Sequence, residues 1–335
     1  MSGRYEFASD NVAPAAPEAI AALARFNDEF MPAYGADPVS ARAADLVRGF
    51  LDADADVWFV ASGTAANAIA LAAICRPFDA VIAHEHAHIC TDETGAPGLF
   101  GHGLGLHALK GPSGKLDPAA VAKALSRPAF AHRQAPAALS VTNATEYGAV
   151  YSPEELAALA APLRDRGLPI HLDGARLANA VASGLDPKCL SKVCDILVLG
   201  GTKAGGTPAE ALVVFEPALR HRFDARLKQA GQLPSKARFY AAPFVGLLED
   251  GALVRHAAHA NAMARRLAEA MPFPVRHPVE ANAVFAEMDE AALSRLHAAG
   301  WFVHRFLDGS VRFMCSWATT PEAVDELAEA LKGIA

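Results

Sequence analysis

The segment Asp195–Phe215 reads DILVLGGTKAGGTPAEALVVF. An apolar run ends in Gly200 and Gly201. Thr202 and a single lysine, Lys203, follow, and after Gly205 and Gly206 a second apolar run begins. Short, near-continuous apolar runs bounded by glycine read as strands buried on both faces, as in a parallel sheet. A lysine at the mouth of such a strand is unusual, because its ammonium is strongly hydrated and sequestering it lowers its pKa. There it either forms a Schiff base with a carbonyl group or snorkels to the surface. The glycines favour the first reading, since they are expected to let a bulky group approach the backbone.

Outward from this segment, apolar β-rich runs alternate with alanine-rich helical ones. Strands are expected at Val57–Ala61, Ala80–His84, Gly105–Lys110, Ala138–Thr142, Pro169–Asp173, Asp195–Leu199 and Ala211–Phe215. Helices are expected at Thr64–Cys75, Pro118–Leu125, Pro153–Arg166 and Leu177–Ser183, with Pro118 and Pro153 where a first turn tolerates proline. This is α/β patterning: a mostly parallel seven-stranded sheet covered on both faces. From about Ala241 the pattern becomes α+β, with a long helix over Gly251–Met271, another near Glu290–Ala299 and a last one from Pro321. The expected division is an N-terminal arm (1–30), a large domain (31–245) and a smaller C-terminal domain (246–335).

The bulk numbers exclude several classes. With 335 residues, one small core is too little. A net charge of −7 argues against an electrostatic nucleic-acid binder. No apolar run nears the ~20 residues of a membrane helix, and the N-terminus lacks a signal-peptide pattern. The five cysteines show no CxxC pair, so they read as free thiols, and a cytoplasmic location is expected.

Ligands of open parallel sheets bind beyond the carboxyl ends of the strands, where three features occur in order. Ser62, Gly63 and Thr64 open a helix, whose free N–H groups and dipole favour a phosphate; an ordinary helix cap would use the same residues. Asp173 ends a strand before Gly174 and Arg176; it either pairs with a cation such as Arg176 or holds a cationic ring nitrogen. Lys203 is the third. Taken together, they fit an enzyme of pyridoxal 5'-phosphate (PLP). A rival reading uses His84, His86 and His88, which in an extended chain would share one face and suit a metal ion. No further histidine–carboxylate cluster completes that site, and no metal is expected.

The sequence also resembles a known family. FASDN (7–11), AYGADP (33–38), SGTAANAIAL (62–71), HAHICTDETGAPG (86–98), TNATEYGAVYSPEEL (142–156), HLDGARLANA (171–180), GGTKAG (200–205), KQAGQLPSKARF (228–239), PFVGLLEDG (243–251) and VRFMCSW (311–317) look like the low-specificity L-threonine aldolases. These are PLP enzymes of fold type I, the aspartate-aminotransferase fold. The resemblance covers nearly the whole chain. It implies that Lys203 binds the cofactor covalently and that Asp173 pairs with its ring nitrogen. Ser62, Gly63, Thr64 and Thr202 would hold the phosphate. His88 would stack on the ring and is the candidate base, directly or through water. Arg176 would lie near the cofactor oxygen and the substrate, Arg312 would bind the substrate carboxylate with Ser9 assisting, and Tyr34 and Asp92 would lie nearby. The resemblance further implies a homotetramer, a dimer of dimers with active sites at the dimer interface, in which Lys228 and its loop reach the neighbouring subunit.

The chain departs from the family pattern in two places. One branch has a second active-site histidine after the Ala138–Thr142 strand, where this chain reads Ala144-Thr145-Glu146-Tyr147. After the lysine, many members have Asn-Gly, and here Ala204-Gly205 stands. The expected activity is retro-aldol cleavage of L-threonine, L-allo-threonine and related L-β-hydroxy-α-amino acids such as phenylserine, giving glycine and an aldehyde. The alternatives are a β-eliminating PLP lyase, an aldolase specific for 3-hydroxyaspartate or phenylserine, and a metal hydrolase built on the histidine cluster.

Overall fold

The computed structural model describes residues 3–335. Seven strands form the main sheet: β1 (Asp56–Val60), β2 (Asp79–His84), β3 (Gly105–Leu109), β4 (Ala135–Thr142), β5 (Ile170–Gly174), β6 (Ile196–Gly200) and β7 (Glu210–Val214). Their order is β1-β7-β6-β5-β4-β2-β3. The pairs from β6 to β3 are parallel, whereas β7 is antiparallel to both its neighbours. Connection length explains the exception. Only residues 201–209 join β6 to β7, too few for the crossover a parallel pair needs. The seven expected strands are all present and the sheet is mostly parallel.

Side chains on β6 alternate between two cores. Ile196 and Val198 join Val60, Leu212, Val214 and the helix Gly63–Ile74 on one face. Leu197 and Leu199 join the larger cluster on the other. That cluster is closed by the helices Pro38–Leu51 and Arg238–Glu249, which together with Pro17–Arg25 are additional to those expected. β4 starts three residues earlier than its apolar run, and Pro136 lies where its pairing with β2 shifts register. Proline is tolerated at such an irregularity.

The long helix Ala252–Ala270 packs its first half on the large cluster and its second half on a separate one. The second cluster includes an antiparallel sheet of β8 (Ala283–Ala286), β9 (His304–Arg305) and β10 (Val311–Met314), ordered β8-β10-β9. The N-terminal segment joins the two clusters. Arg4 bridges Trp301, the Phe7 carbonyl accepts from Met314 N–H at 2.9 Å, and Ala16 N–H donates to Gly205 O at 2.7 Å. No helix among the described residues is long and apolar enough to cross a membrane.

The glycines around Lys203 do something other than expected. A Cβ at Gly200 would lie 2.2 Å from Ala175 O, one at Gly201 2.6 Å from Ala209 O, and one at Gly206 2.6 Å from Gly201 O. They let the chain's own backbone segments meet, rather than leaving room for a bulky group. Gly201 also lies against the Phe244 ring, which is fully buried and 5.1 Å from Phe59. Phe244→Ala is expected to lower stability by about 3–5 kcal/mol, the cost of a large buried cavity, read as a fall in the urea midpoint at unchanged slope.

Candidate active site

The carboxyl ends of β5 and β6, the turns after β2 and β4, the N-terminal segment and the small sheet meet around one cavity of about 420 Å³. Lys203, His88, Arg176, Arg312, Ser9 and Asp92, all expected from sequence, line it. Glu146 lines it too and carried no expected role.

Lys203 sits in a helical turn after β6. Asp10, Asp173 and Glu210 favour its charge, yet among the described residues none hydrogen-bonds to it. Burial, with the Arg176 guanidinium adding to it, holds its amine below the usual lysine range. Asp173 is buried at the end of β5. Its Oδ2 accepts from Asn67 Nδ2 at 2.9 Å and its Oδ1 from Ala175 N–H at 3.0 Å. Burial alone would raise its pKa; His171 and Lys203, with these hydrogen bonds, instead hold it below the ordinary carboxylate range.

Asn67 comes from the first turns of the helix Gly63–Ile74 and also donates to Glu93 Oε1 at 2.8 Å. Glu93 Oε1 lies 2.9 Å from His88 Nδ1. A continuous chain, Asp173–Asn67–Glu93–His88, thus runs under the cavity. The hydrogen bond to Glu93 holds the His88 imidazole above its usual range, Asp173 adding to it and burial opposing. Asn67 and Glu93 were not expected. The available signal was a polar residue inside an apolar helix and an acid in the Cys90–Gly95 loop, each needing a partner once buried.

Arg176 donates to Asp10 through Nε and Nη2 at 2.7 and 2.9 Å. Asp10 also accepts from Asn282 Nδ2 at 3.1 Å; burial would raise its pKa, but the Arg176 and Lys203 charges and these hydrogen bonds hold it down at about 2. So Arg176 pairs with Asp10, not with Asp173. Arg312 on β10 has no acid partner among the described residues. It lies 4.9 Å from the Phe306 ring, and burial next to Arg176 lowers its pKa to about 10. An unpaired, half-buried guanidinium at the cavity wall calls for an external anion.

The other expected residues lie elsewhere. Ser62 caps the helix through Ala65 N–H at 3.3 Å, and a Cβ at Gly63 would meet nothing within 4 Å, so that helix terminus is open. Thr64 is half-buried in the first turn. Thr202 Oγ1 accepts from Ala209 N–H at 3.2 Å and braces the lysine turn. Lys228 sits over the Tyr34 ring at 4.4 Å, both outside this cavity. The three histidines diverge, because β2 stops at His84 and a helical turn starts at His88. His84 faces Gly111 O, His86 faces the Tyr147 hydroxyl and His88 faces Glu93. No group of three metal-ligating side chains occurs among the described residues.

Residues 6–291 match the family model described as beta-eliminating lyase. The chain is 45% identical over 335 residues to the low specificity L-threonine aldolase of Pseudomonas aeruginosa, covering 98% of this chain and 97% of that protein. This chain belongs to the family of the low-specificity L-threonine aldolases. Its fold matches a threonine aldolase from Leishmania major with a TM-score of 0.92 at 31% identity, covering 99% of this chain and 100% of that one. An aspartate aminotransferase from Thermus thermophilus matches with a TM-score of 0.73 at 18% identity, over 98% of this chain and 91% of that one. The fold is therefore fold type I of the PLP enzymes.

The residues fit that cofactor. An open helix terminus suits its phosphate, the buried ionised Asp173 suits a cationic ring nitrogen, and the unpartnered Lys203 suits its carbonyl. The Asp10–Arg176 pair sets a separate stability test. Asp10→Asn leaves a buried guanidinium unpaired and is expected to cost about 3–5 kcal/mol at neutral pH. Because the folded pKa of Asp10 lies below the unfolded one, its contribution is present above about 4 and lost as pH falls toward about 2. The gap in urea stability between wild type and variant should narrow over that interval.

Proposed function

We propose that this chain is a PLP-dependent carbon–carbon lyase that cleaves L-threonine, L-allo-threonine and related L-β-hydroxy-α-amino acids to glycine and an aldehyde. The observation that carries this reading is the pairing of two free cations, Lys203 and Arg312, on one cavity beside the buried Asp173. The family relationship supports it.

Bound at Lys203, the cofactor supplies an electron sink that takes the pair released at Cα and returns it when a proton arrives there. The chain's own residues do the rest. Arg312 fixes the substrate carboxylate with Ser9 beside it, which sets the direction of the remaining bonds at Cα. Asp173, ionised and held by Asn67, would keep the ring nitrogen protonated. Arg176, fixed by Asp10, would offer a positive charge to the cofactor oxygen. Ser62, Gly63, Thr64 and Thr202 would hold the phosphate. His88, held by Glu93, lines the same cavity as Lys203 and would stack on the ring.

The wider organisation belongs to the same proposal. Residues 246–335 form a small domain beside the large one at 31–245, with 1–30 as an arm tying the two. The protein works as a cytoplasmic homotetramer with its sites at a dimer interface, where Tyr34 and Lys228 face the neighbouring subunit's cavity. Tyr34 and Phe30 are exposed on the single chain, which supports a covered surface there.

Three measurements test this reading. The purified protein with PLP should release acetaldehyde and glycine from L-threonine; pyruvate and ammonia from L-serine with no aldehyde would instead establish an eliminase. Arg312→Lys should lower kcat/KM about 10–100-fold, mostly through KM, since a charge-assisted pair is worth about 1.5–3 kcal/mol. Light scattering should give four chains per particle, and a monomer would contradict the assembly.

A further inference from the structure

Of the carboxylates in and around the cavity, two keep a buried oxygen without a partner among the described residues, Glu93 and Glu146, and of these only Glu146 lines the cavity. Asp173 uses both oxygens on Asn67 and Ala175. Asp10 is occupied by Arg176 and Asn282. Asp92 is exposed and accepts from Thr91 Oγ1 at 2.6 Å. Glu146 differs. Its Oε1 accepts from His88 N–H at 2.9 Å and from Thr142 Oγ1 at 3.0 Å. Its Oε2 is buried and has no partner among the described residues, although the side chain borders the cavity that holds Lys203 and Arg312.

The position of Glu146 is rigidly set. It lies in the turn after β4, where Asn143 N–H donates to Asp173 O at 3.0 Å and Thr145 N–H to Ala149 O at 2.9 Å. Thr145 Oγ1 donates to Ser113 O at 2.8 Å. One oxygen is thus spent on holding the His88 turn, and the other is left as a proton acceptor in a poorly solvated site. Burial first, then the charge of Asp173, raises the Glu146 pKa and makes it a better base than an ordinary carboxylate. His88 is the rival. Its Nδ1 is engaged with Glu93, and that bond favours the imidazolium form, which has no free lone pair to accept a proton.

We propose that Glu146 Oε2 is the group that takes the proton from the substrate's β-hydroxyl during cleavage and returns it in the reverse, carbon–carbon-forming direction. This inference rests on the proposed aldol chemistry of the same site. In cleavage, the β O–H bond breaks and its proton passes to Glu146 Oε2. The O–H electron pair becomes the second bond of the aldehyde C=O as the Cα–Cβ bond breaks. The bound cofactor would supply the sink for the Cα–Cβ pair, and Cα takes a proton to give glycine. Glu146 then gives up its proton, so proton and charge balance over the cycle. The group acts among Asp173, His88, Arg176, Lys203, Arg312 and Asp92, the charged and titratable neighbours from the elements around it.

The test is Glu146→Gln in the holoenzyme, which keeps an oxygen for the His88 and Thr142 donors but cannot take the proton. Aldehyde release from L-threonine should fall at least about 100-fold in kcat, within the range of a lost acid–base group, with KM little changed. Exchange of the glycine α-proton with D2O, followed by proton NMR, does not involve a β-oxygen and should stay near the wild-type rate. Without cofactor, a carboxyl C=O infrared band that titrates above the ordinary carboxylate range of roughly 4 should be present in wild type and missing in the variant. As a second variant, Glu146→Ala should regain cleavage with added formate. Equal loss of cleavage and exchange would reduce Glu146 to a support of the His88 turn and overturn the proposal. Undiminished cleavage, or an unchanged infrared band, would also overturn it and pass the proton to His88. A wild-type enzyme that releases no aldehyde would instead overturn the aldolase reading itself, and this proposal with it.

Discussion

Lys203 is held at the carboxyl edge of β6 without a hydrogen-bonding partner among the described residues, while Asp10, Asp173 and Glu210 surround it at longer range. Taking an ammonium out of water without pairing it costs stability, and the surrounding structure is arranged to sustain that cost. Gly200, Gly201 and Gly206 bring the lysine turn against the backbone of Ala175 and Ala209. Thr202 braces the turn to the start of β7. The Glu210 carboxylate is buried at that strand's first residue and accepts from Gly201 N–H at 2.7 Å. The turn is fixed on several sides, so the amine stays in the cavity rather than reaching for solvent.

The same logic orders the rest of the site. Structural charges are paired with one another: Arg176 with Asp10, and His88 with Glu93. Asp173 is held by hydrogen bonds and by the positive charges near it. Among the described residues that line the cavity, the groups left over are Lys203, Arg312 and one oxygen of Glu146. An amine, a guanidinium and a carboxyl oxygen around one cavity match a carbonyl cofactor, a carboxylate and a hydroxyl. Paired groups build the frame, and unpaired ones mark where ligands belong.

Much of the frame was legible in the sequence because it is local. Short, near-continuous apolar runs located all seven strands, and residues at or just past the strand ends located Asp173 and Lys203. The supports of the site were not legible, because their partners are distant along the chain. Asp10 reaches Arg176 across 166 residues, and Asn67 reaches Asp173 across 106. Local pattern carries no information about such pairs; the fold creates them by bringing the N-terminal segment and the helix Gly63–Ile74 to the end of β5. Two sequence readings changed for physical reasons. The glycines near Lys203 serve backbone packing, and the His84–His88 run is broken by the end of β2, so its side chains diverge. The helices Pro38–Leu51 and Arg238–Glu249 went unread although Asp37 caps the first, because alanine and proline diluted their apolar stripes.

The claim most central to this account is that the unpaired amine of Lys203 is reserved for a carbonyl group. Borohydride reduction of the PLP-loaded protein, followed by proteolysis and peptide mass mapping, addresses it directly. The account predicts one pyridoxyl-phosphate adduct per chain, on the peptide that contains Lys203 and on that lysine alone. An adduct on another lysine, or a fully loaded protein with Lys203 unmodified, would contradict it.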